Sequence, residues 1–231
     1  TTFGLNSEFE KRTSIKNTPF NYQLGIGLRQ DKVDDIELSH TANRVTTLQN
    51  IMLGDVNETN LSGYANTEFK FDKLILNAGL RYDYFKFDYY DKLSPTYSNE
   101  AINKGILSPK LNVLYKYNDK LQLFLKSGKG FHSHDTRVGV AGGGRKTLPA
   151  SYGSDLGFVW KPTPKLIFNS AAWYLFVEQE FVYVGDAGIV EPSGKTARRG
   201  IDLGLRYQFT DWLFLNADYT YTDAKSTEEP S

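Results

Sequence analysis

Apolar and polar residues alternate with a period of two along most of the chain. From Leu74 to Tyr84 every second residue is apolar or aromatic, whereas the residues between them include Asn77, Arg81 and Asp83. Such alternation predicts β-strands that have one apolar and one polar face. The pattern predicts about ten strands, near residues 1–10, 20–30, 59–71, 74–88, 107–117, 120–131, 151–161, 165–180, 196–209 and 212–224.

The stretch from Leu166 to Val177 is an exception, because it is apolar at both odd and even positions. It is also the longest apolar run that is nearly free of charge, and it is too short for a membrane-spanning helix of roughly 20 residues. A strand therefore fits it better, but the pattern leaves open which of its faces points inward.

The lengths of strands and connections favour a membrane barrel. Many of the predicted strands reach ten residues or more, whereas strands of soluble sheets have about five or six and tilted membrane strands about 9–11. Short and long connections also alternate, as periplasmic turns and extracellular loops do in up-and-down barrels. The predicted turns are Asp72-Lys73, Asn118-Asp119, Pro162-Thr163-Pro164, Thr210-Asp211 and the fairly short 11–19; the predicted loops are 31–58, 89–106, 132–150 and 181–195.

Aromatic residues are concentrated toward both strand ends. Beside the predicted turns lie Tyr115, Tyr117, Trp160, Tyr207, Phe209 and Trp212, and toward the predicted loops lie Tyr82, Tyr84, Tyr89, Tyr90, Tyr219 and Tyr221. Two such belts are typical of the interfacial girdles of membrane barrels. The sequence therefore predicts an all-β fold, an antiparallel up-and-down transmembrane β-barrel segment.

Composition narrows the function further. The 231 residues include 27 basic and 27 acidic ones, so no charge excess points to a nucleic-acid partner. Cysteine is absent, which excludes disulfides, thiol catalysis and cysteine-ligated zinc. The inward positions combine glycines with charged residues, which suit a wide, wet or plugged lumen rather than a narrow packed one. The charged residues predicted to face the lumen are Arg29, Glu68, Arg81, Lys110, Lys116, Lys126, Asp202 and Arg206.

From residue 108 onward the sequence resembles the barrel of TonB-dependent outer-membrane receptors. The resemblance rests on Ser108 to Tyr115, Leu125 to His132, Leu148 to Gly157, Ala172 to Leu175, Arg198 to Gly204 and Ala217 to Ala224. It implies a 22-stranded barrel filled by an N-terminal plug domain, in the bacterial outer membrane. The chain has about half of those strands and no recognisable plug, TonB-contacting segment or closing strand, so residues 1–231 are expected to be a partial barrel domain without a plug.

The function implied is active import of a scarce ligand, such as a metal chelate, with energy delivered through TonB. The expected partners are outer-membrane lipid, the plug of the same parent chain, the TonB complex of the parent protein and the imported small ligand; no cofactor is expected. The lumen-facing charges would contact the plug or line a solvated wall. A passive porin-like channel is the alternative, and a structural or adhesive barrel is a third class.

Five residues are candidates for ligand binding. His132 and His134 alternate with Ser133 on an extended segment and precede Asp135, so both imidazoles would face one way, as a metal site requires. His40 could supply a third ligand, but a polar strand end is the simpler interpretation, and the metal question stays open. Arg145 and Lys146 follow a glycine run and could attract an anion. Ser133 cannot pair with an adjacent histidine on the opposite face, so no enzyme is expected.

Overall fold

The computed structural model describes residues 1–94, 99–132, 147–184 and 189–227. Within these ranges every regular element is a β-strand, and no helix is long and apolar enough to cross a membrane. The ten strands form one antiparallel sheet in which each strand pairs with its neighbours in the sequence. They are β1 (Thr2–Ile15), β2 (Thr18–Ala42), β3 (Thr46–Lys70), β4 (Leu74–Asp91), β5 (Asn99–Asn118), β6 (Leu121–Phe131), β7 (Ala150–Thr163), β8 (Leu166–Val184), β9 (Ile189–Gln208) and β10 (Phe214–Ser226).

The up-and-down order and the ten strands confirm the fold predicted from the sequence, but two of the predicted turns were misplaced. β1 and β2 are joined by Lys16 and Asn17 alone, with φ angles of 48° and 68°. Two successive positive φ angles are those of a type I′ hairpin, whose twist matches the strands. The connection therefore spans two residues rather than the predicted nine-residue segment 11–19. Between β7 and β8 the turn lies at Pro164 and Lys165, two residues beyond the predicted start at Pro162.

Three of the predicted long loops are wrong in large part, because the strands continue through them. β2 and β3 pair as far as Ala42 and Thr46, which replaces most of the predicted loop 31–58 by a hairpin. β4 and β5 likewise extend into 89–106, and β8 and β9 into 181–195. In these extensions apolar and polar residues do not alternate, so the sequence gives no sign of a strand. The backbone hydrogen bonds between the strands form all the same, because they need no particular side chains. Of the fourth loop, 132–150, residues 133–146 lie outside the described ranges.

The strand register separates two faces. Leu5, Leu28, Leu61 and Tyr84 lie in one row across four strands. The neighbouring row, Asn6, Gly27, Ser62 and Asp83, lies on the opposite side. We call these sides the apolar face and the polar face. Large side chains of the apolar face are left uncovered by the chain itself; Leu5, for example, is 62% exposed. The sheet therefore has no interior layer between two packed sheets.

The register also decides what alternation left open in β8. Ile167, Trp173, Leu175 and Val177 lie on the polar face, where Leu175 pairs with Gly153 and Arg198; Phe168, Tyr174 and Phe176 lie on the apolar face. Tyr89, which the sequence predicts to belong to the aromatic belt toward the loops, lies on the polar face because of its odd position on β4, and it packs there against buried phenylalanines.

A small apolar cluster lies on the polar face near the ends of the strands that lead to the long connections. Phe85 and Phe87 stack with ring centroids 5.4 Å apart, and Phe87 is completely buried. Phe131 meets Phe85 edge-on at 5.7 Å, and Leu148 also packs here. Residues on both sides of the connection between β6 and β7 are thus held against β4.

Candidate functional site

All eight charged residues predicted to face the lumen lie on the polar face. Arg29 and Glu68 occupy it on β2 and β3, and Arg81 follows on β4. The remaining positions are Lys110 and Lys116 on β5, Lys126 on β6, and Asp202 and Arg206 on β9. These side chains thus share one face of the sheet, although they are spread over 178 sequence positions from 29 to 206. On that face the apolar residues of β8 separate Asp202 and Arg206 from the other six.

The most buried charge on this face is the carboxylate of Asp83, which is 1% exposed. Arg81 holds it with a two-pronged contact, from Nε to Oδ2 at 2.7 Å and from Nη2 to Oδ1 at 2.8 Å. The Asn60 amide of β3 donates a third hydrogen bond to Oδ1 at 3.3 Å. Because a buried carboxylate is costly without partners, Arg81 is a structural requirement for Asp83.

Arg29 makes the same kind of contact with Asp31 at a more exposed place. Its Nε donates to Oδ2 at 2.6 Å and its Nη2 to Oδ1 at 3.2 Å. The Thr2 hydroxyl of β1 also donates to Asp31, at 2.6 Å. In both pairs the partners are two residues apart on one strand, so the period of two alone places them on the same face.

Glu68 has one partner on its own strand and one on the neighbouring strand β2. The Lys70 ammonium lies 3.0 Å from its carboxylate, and the Asn21 amide on β2 donates to it at 3.4 Å. The tyrosine hydroxyl of Tyr64 donates to Glu8 of β1 at 2.6 Å, which extends the network to the edge of the sheet. Sequence reasoning missed Tyr64 and Glu8, although both fall on the polar period of their strands.

Five of the eight residues have no such partners. The side chains of Lys110, Lys116, Asp202 and Arg206 take part in no hydrogen bond or ion pair within the described ranges. Lys126 lies over the ring of Phe124, with its Nζ 5.0 Å from the centroid, and has no carboxylate within ion-pair distance among the described residues. The polar face thus divides into charges satisfied within the wall and charges that remain available.

Aromatic side chains on the polar face cover glycines directly across from them. A Cβ added at Gly25 would lie 2.2 Å from the Tyr64 ring, and one added at Gly200 would lie 2.5 Å from Trp173 and 2.3 Å from the Tyr221 carbonyl oxygen. These glycines are needed because the rings lie flat on the backbone, an arrangement that stabilises glycine positions in sheets. The glycines therefore do not all leave open space in the lumen.

Gly128 and Gly153 differ, because nothing covers them. A Cβ would have its nearest neighbour at 3.6 Å on Gly128 and at 3.9 Å on Gly153, both ordinary contact distances. Over them runs a groove of about 380 Å³, which Lys110, Lys126, Asp155 and Leu175 also line.

A second charged cluster fixes the ends of β2, β3 and β4 that lead to the long connections. The Lys92 ammonium donates to Asp35 and to Asp55, both at 2.6 Å, and the Asp35 backbone N–H donates to Asp55 at 2.8 Å. Asp35 has a positive φ of 53° at an irregularity in the β2–β3 register. The hydrogen bonds with the two aspartates raise the pKa of Lys92, and the hydrogen bond from Lys92 lowers the pKa of Asp55.

Of the five candidate ligand-binding residues, only His132 lies in the described ranges. Its backbone N–H donates to the Pro149 carbonyl at 3.3 Å, directly beyond the end of β6. His134, Asp135, Arg145 and Lys146 lie outside the described residues. Among the residues that are described, no group of three or more His, Cys, Asp or Glu side chains is arranged to hold a metal.

Long up-and-down strands with an uncovered apolar face and a charged opposite face define the wall of a membrane β-barrel. The family model described as "TonB dependent receptor-like, beta-barrel" matches residues 1–231. The chain belongs to this family, whose members lie in the bacterial outer membrane. A protein of Haemophilus influenzae called an uncharacterized TonB-dependent receptor is 28% identical over 173 residues, 71% of this chain and 48% of that protein.

Solved structures show the same fold. The unliganded ferric citrate transporter FecA superimposes with a TM-score of 0.80 at 16% identity, over 97% of this chain and 35% of that chain. The closed form of the ferric-catecholate import receptor Fiu from Escherichia coli K12 gives 0.73 at 13% identity, over 100% and 38%. The ferric yersiniabactin uptake receptor FyuA of Yersinia pestis gives 0.68 at 12%, over 98% and 36%. The chain thus spans less than half the length of these relatives.

Proposed function

We propose that this chain forms part of the wall of a receptor that actively imports a scarce ligand, such as a metal chelate, with energy from the TonB complex. The observation that carries the proposal is the family match over the whole chain. The polar face supports it, because its charges require a wide lumen that holds water, ligand or another domain. The similar solved structures are import receptors for ferric chelates, which motivates the ligand class.

The two edges of the sheet support a larger barrel. β1 pairs only with β2, and β10 pairs only with β9, among the strands described. In a bilayer the backbone groups along each free edge would lack hydrogen-bond partners, at a cost of several kcal/mol per group. We infer that further strands of a longer polypeptide close the barrel, in agreement with the 35–38% coverage of the similar structures FecA and Fiu. A barrel of about 22 strands is the expected result.

The polar face is the proposed lumen surface, and a plug domain of the same longer polypeptide is its proposed partner. Charges without partners in the wall, Asp202 and Arg206 among them, are the ones free to bind such a domain or a ligand. His132, His134, Asp135, Arg145 and Lys146 are proposed to contribute to ligand capture between β6 and β7.

Radioactive iron uptake by living cells tests the function. Ferric citrate and a ferric catecholate are supplied separately to cells with the gene intact, with the gene deleted, and with the TonB gene deleted. The proposal expects saturable uptake of a chelate that disappears in both deletions. Uptake that is linear in concentration and survives loss of TonB would instead establish the passive channel. Uptake of every chelate unchanged by deleting the receptor gene would refute a role in iron import.

A further inference from the structure

A pocket on the polar face spans β3, β4 and β5. The strand register places Asn66, Gly79 and Lys110 in one row and Arg81 and Ser108 in the adjacent row, and all five line the pocket. Its volume of about 370 Å³ falls in the range of small-ligand sites. The described residues that line it include cations but no carboxylate. The wall thus forms a polar pocket in which positive charge is the only charge of the described lining.

Lys110 lies across the floor of this pocket. A Cβ added at Gly79 would lie 2.5 Å from Cε of Lys110 and 3.0 Å from Oδ1 of Asn66. The stem of the lysine is therefore laid flat over the backbone of β4 and directed toward β3. Its ammonium makes no hydrogen bond or ion pair within the described ranges. It is a donor without an acceptor at the centre of the pocket.

Two side-chain oxygens of the lining residues are buried without a hydrogen-bond partner among the described residues. They are Oδ1 of Asn66 and Oγ of Ser108, and the only other such atom in the described ranges, Oγ1 of Thr196, lies on β9. A buried polar atom that lacks a partner is unfavourable. Because Lys110 and Asn66 Oδ1 share the space over Gly79, a movement of this long side chain uncovers the oxygen.

Arg81 adds a donor that is fixed in place. Its Nε and Nη2 hold the buried carboxylate of Asp83 at 2.7 and 2.8 Å, which leaves the hydrogens of Nη1 for a further acceptor. The neighbouring Tyr64 does not compete for it, since its ring lies across Gly25 and its hydroxyl donates to Glu8 at 2.6 Å. The pocket therefore combines donors that need an acceptor with an amide oxygen that needs a donor.

We infer that this pocket binds a hydroxyl-bearing anionic group of the imported ligand. The anionic oxygens accept hydrogen bonds from Lys110 and Arg81, and the hydroxyl donates to Asn66 once the lysine rises from Gly79 to meet the anion. An anion without a hydroxyl satisfies the cations but leaves the amide oxygen unpaired. The inference rests on the proposed import function and adds to it a place on the wall and a ligand chemistry.

Citrate and tricarballylate test this chemistry, because the two tricarboxylates differ only in the hydroxyl of citrate. Binding of radiolabelled, iron-free citrate to the purified full-length receptor is measured by equilibrium dialysis, and tricarballylate is the competitor. Citrate should bind about fivefold more tightly, the effect of one hydrogen bond. This comparison is made in the unchanged receptor, so it does not depend on the folding of any variant.

Two substitutions should affect different quantities. Lys110→Met should weaken both anions by at least about tenfold, because a charge-assisted hydrogen bond is lost, and should leave their ratio unchanged. Asn66→Leu should bring the ratio to about one, because the acceptor of the hydroxyl is removed. Lys116→Met is the matched control, since Lys116 lies on the same face of β5 outside the pocket. It should change neither affinity.

Equal affinities for the two anions in the unchanged receptor would overturn the inference. Citrate binding that Lys110→Met does not weaken, or that Lys116→Met weakens equally, would place the anion elsewhere and overturn it too. Absence of saturable binding at millimolar citrate, as when an internal domain covers the pocket, would have the same meaning. Purified receptor binds without TonB, so these results leave TonB-dependent uptake untouched, whereas citrate binding without any uptake would count against the import function alone.

Discussion

Replacing Arg81 by methionine should destabilise the barrel through the carboxylate that the arginine leaves behind. Asp83 is 1% exposed and accepts two hydrogen bonds from Arg81 at 2.7 and 2.8 Å. In the variant its remaining hydrogen bond is the one from the Asn60 amide at 3.3 Å. A buried charge that loses its counter-ion loses more than the energy of the contact, because its desolvation is no longer compensated.

The expected loss lies between two limits. Breaking a buried ion pair costs about 3–5 kcal/mol, whereas exposed pairs contribute about 0–1 kcal/mol. The side chain of Arg81 is 45% exposed although that of Asp83 is buried. We therefore expect Arg81→Met to lower the free energy of unfolding by about 2–3 kcal/mol.

Urea unfolding of the full-length receptor in detergent, followed by tryptophan fluorescence, measures this loss. The midpoint should fall by the lost free energy divided by the receptor's own denaturant slope, which the same unfolding curves supply. Arg29→Met is the matched control, since Arg29 makes the same contact with Asp31 on the same face but has a 67% exposed side chain. Its effect should be clearly smaller.

The double variant Arg81→Met with Asp83→Leu distinguishes two effects of the single substitution. One is the loss of the contact itself, and the other is the cost of a buried Asp83 carboxylate without a counter-ion. If the charge is responsible, the double variant should be more stable than Arg81→Met alone, because no unpaired carboxylate remains. The reasoning would be refuted by a double variant at least as unstable as the single one. Equal effects of Arg81→Met and Arg29→Met would refute the role of burial.

Three further predictions concern other parts of the sheet. Gly200→Ala should cost about 1–3 kcal/mol by overpacking, whereas Gly128→Ala should be close to neutral, as urea midpoints will show; equal costs would contradict the steric argument. Phe87→Ala should cost about 3–5 kcal/mol because the ring is fully buried, and a negligible change in the same assay would count against the apolar cluster. The lowered pKa of Asp55 means that its stabilising contact with Lys92 is present at neutral pH and is lost as the pH falls below about 4. Amide protection of residues 33–55, corrected for intrinsic exchange, should fall on acidification, and Lys92→Met should abolish that dependence; unchanged protection in both would contradict it.

Much of the wall could be predicted from alternation alone. The polar period on β4 correctly placed Arg81 and Asp83 on one face, and the apolar period placed Leu80 and Tyr82 on the other. All eight predicted lumen charges share the polar face for the same reason. Their function as plug or ligand contacts stays a prediction. The pairing of Arg81 with Asp83 was not predicted, because sharing a face does not specify a contact.

The places where prediction failed have a common physical cause. Beyond the bilayer both faces of a hairpin can meet water, so β2 and β3 continue to Ala42 and Thr46 without the alternation that reveals a strand. The prediction places Tyr89 in the aromatic belt because it lies near a strand end, whereas the face of the sheet that it occupies depends on its odd position on β4. Backbone pairing extends where the hydrophobic pattern gives no signal.

The sequence by itself determined the strand order, the alternating faces and the membrane class. In a membrane barrel, residues that face lipid alternate along each strand with residues that face the interior, so neighbouring residues in the sequence carry the signal. Only the tertiary structure decided which side of β8 faces the polar surface, since both of its sides are apolar and its neighbours Gly153 and Arg198 fix the register. It also decided which charges are neutralised in the wall and which remain unpaired. Those outcomes depend on distances between side chains, which no pattern along one strand contains.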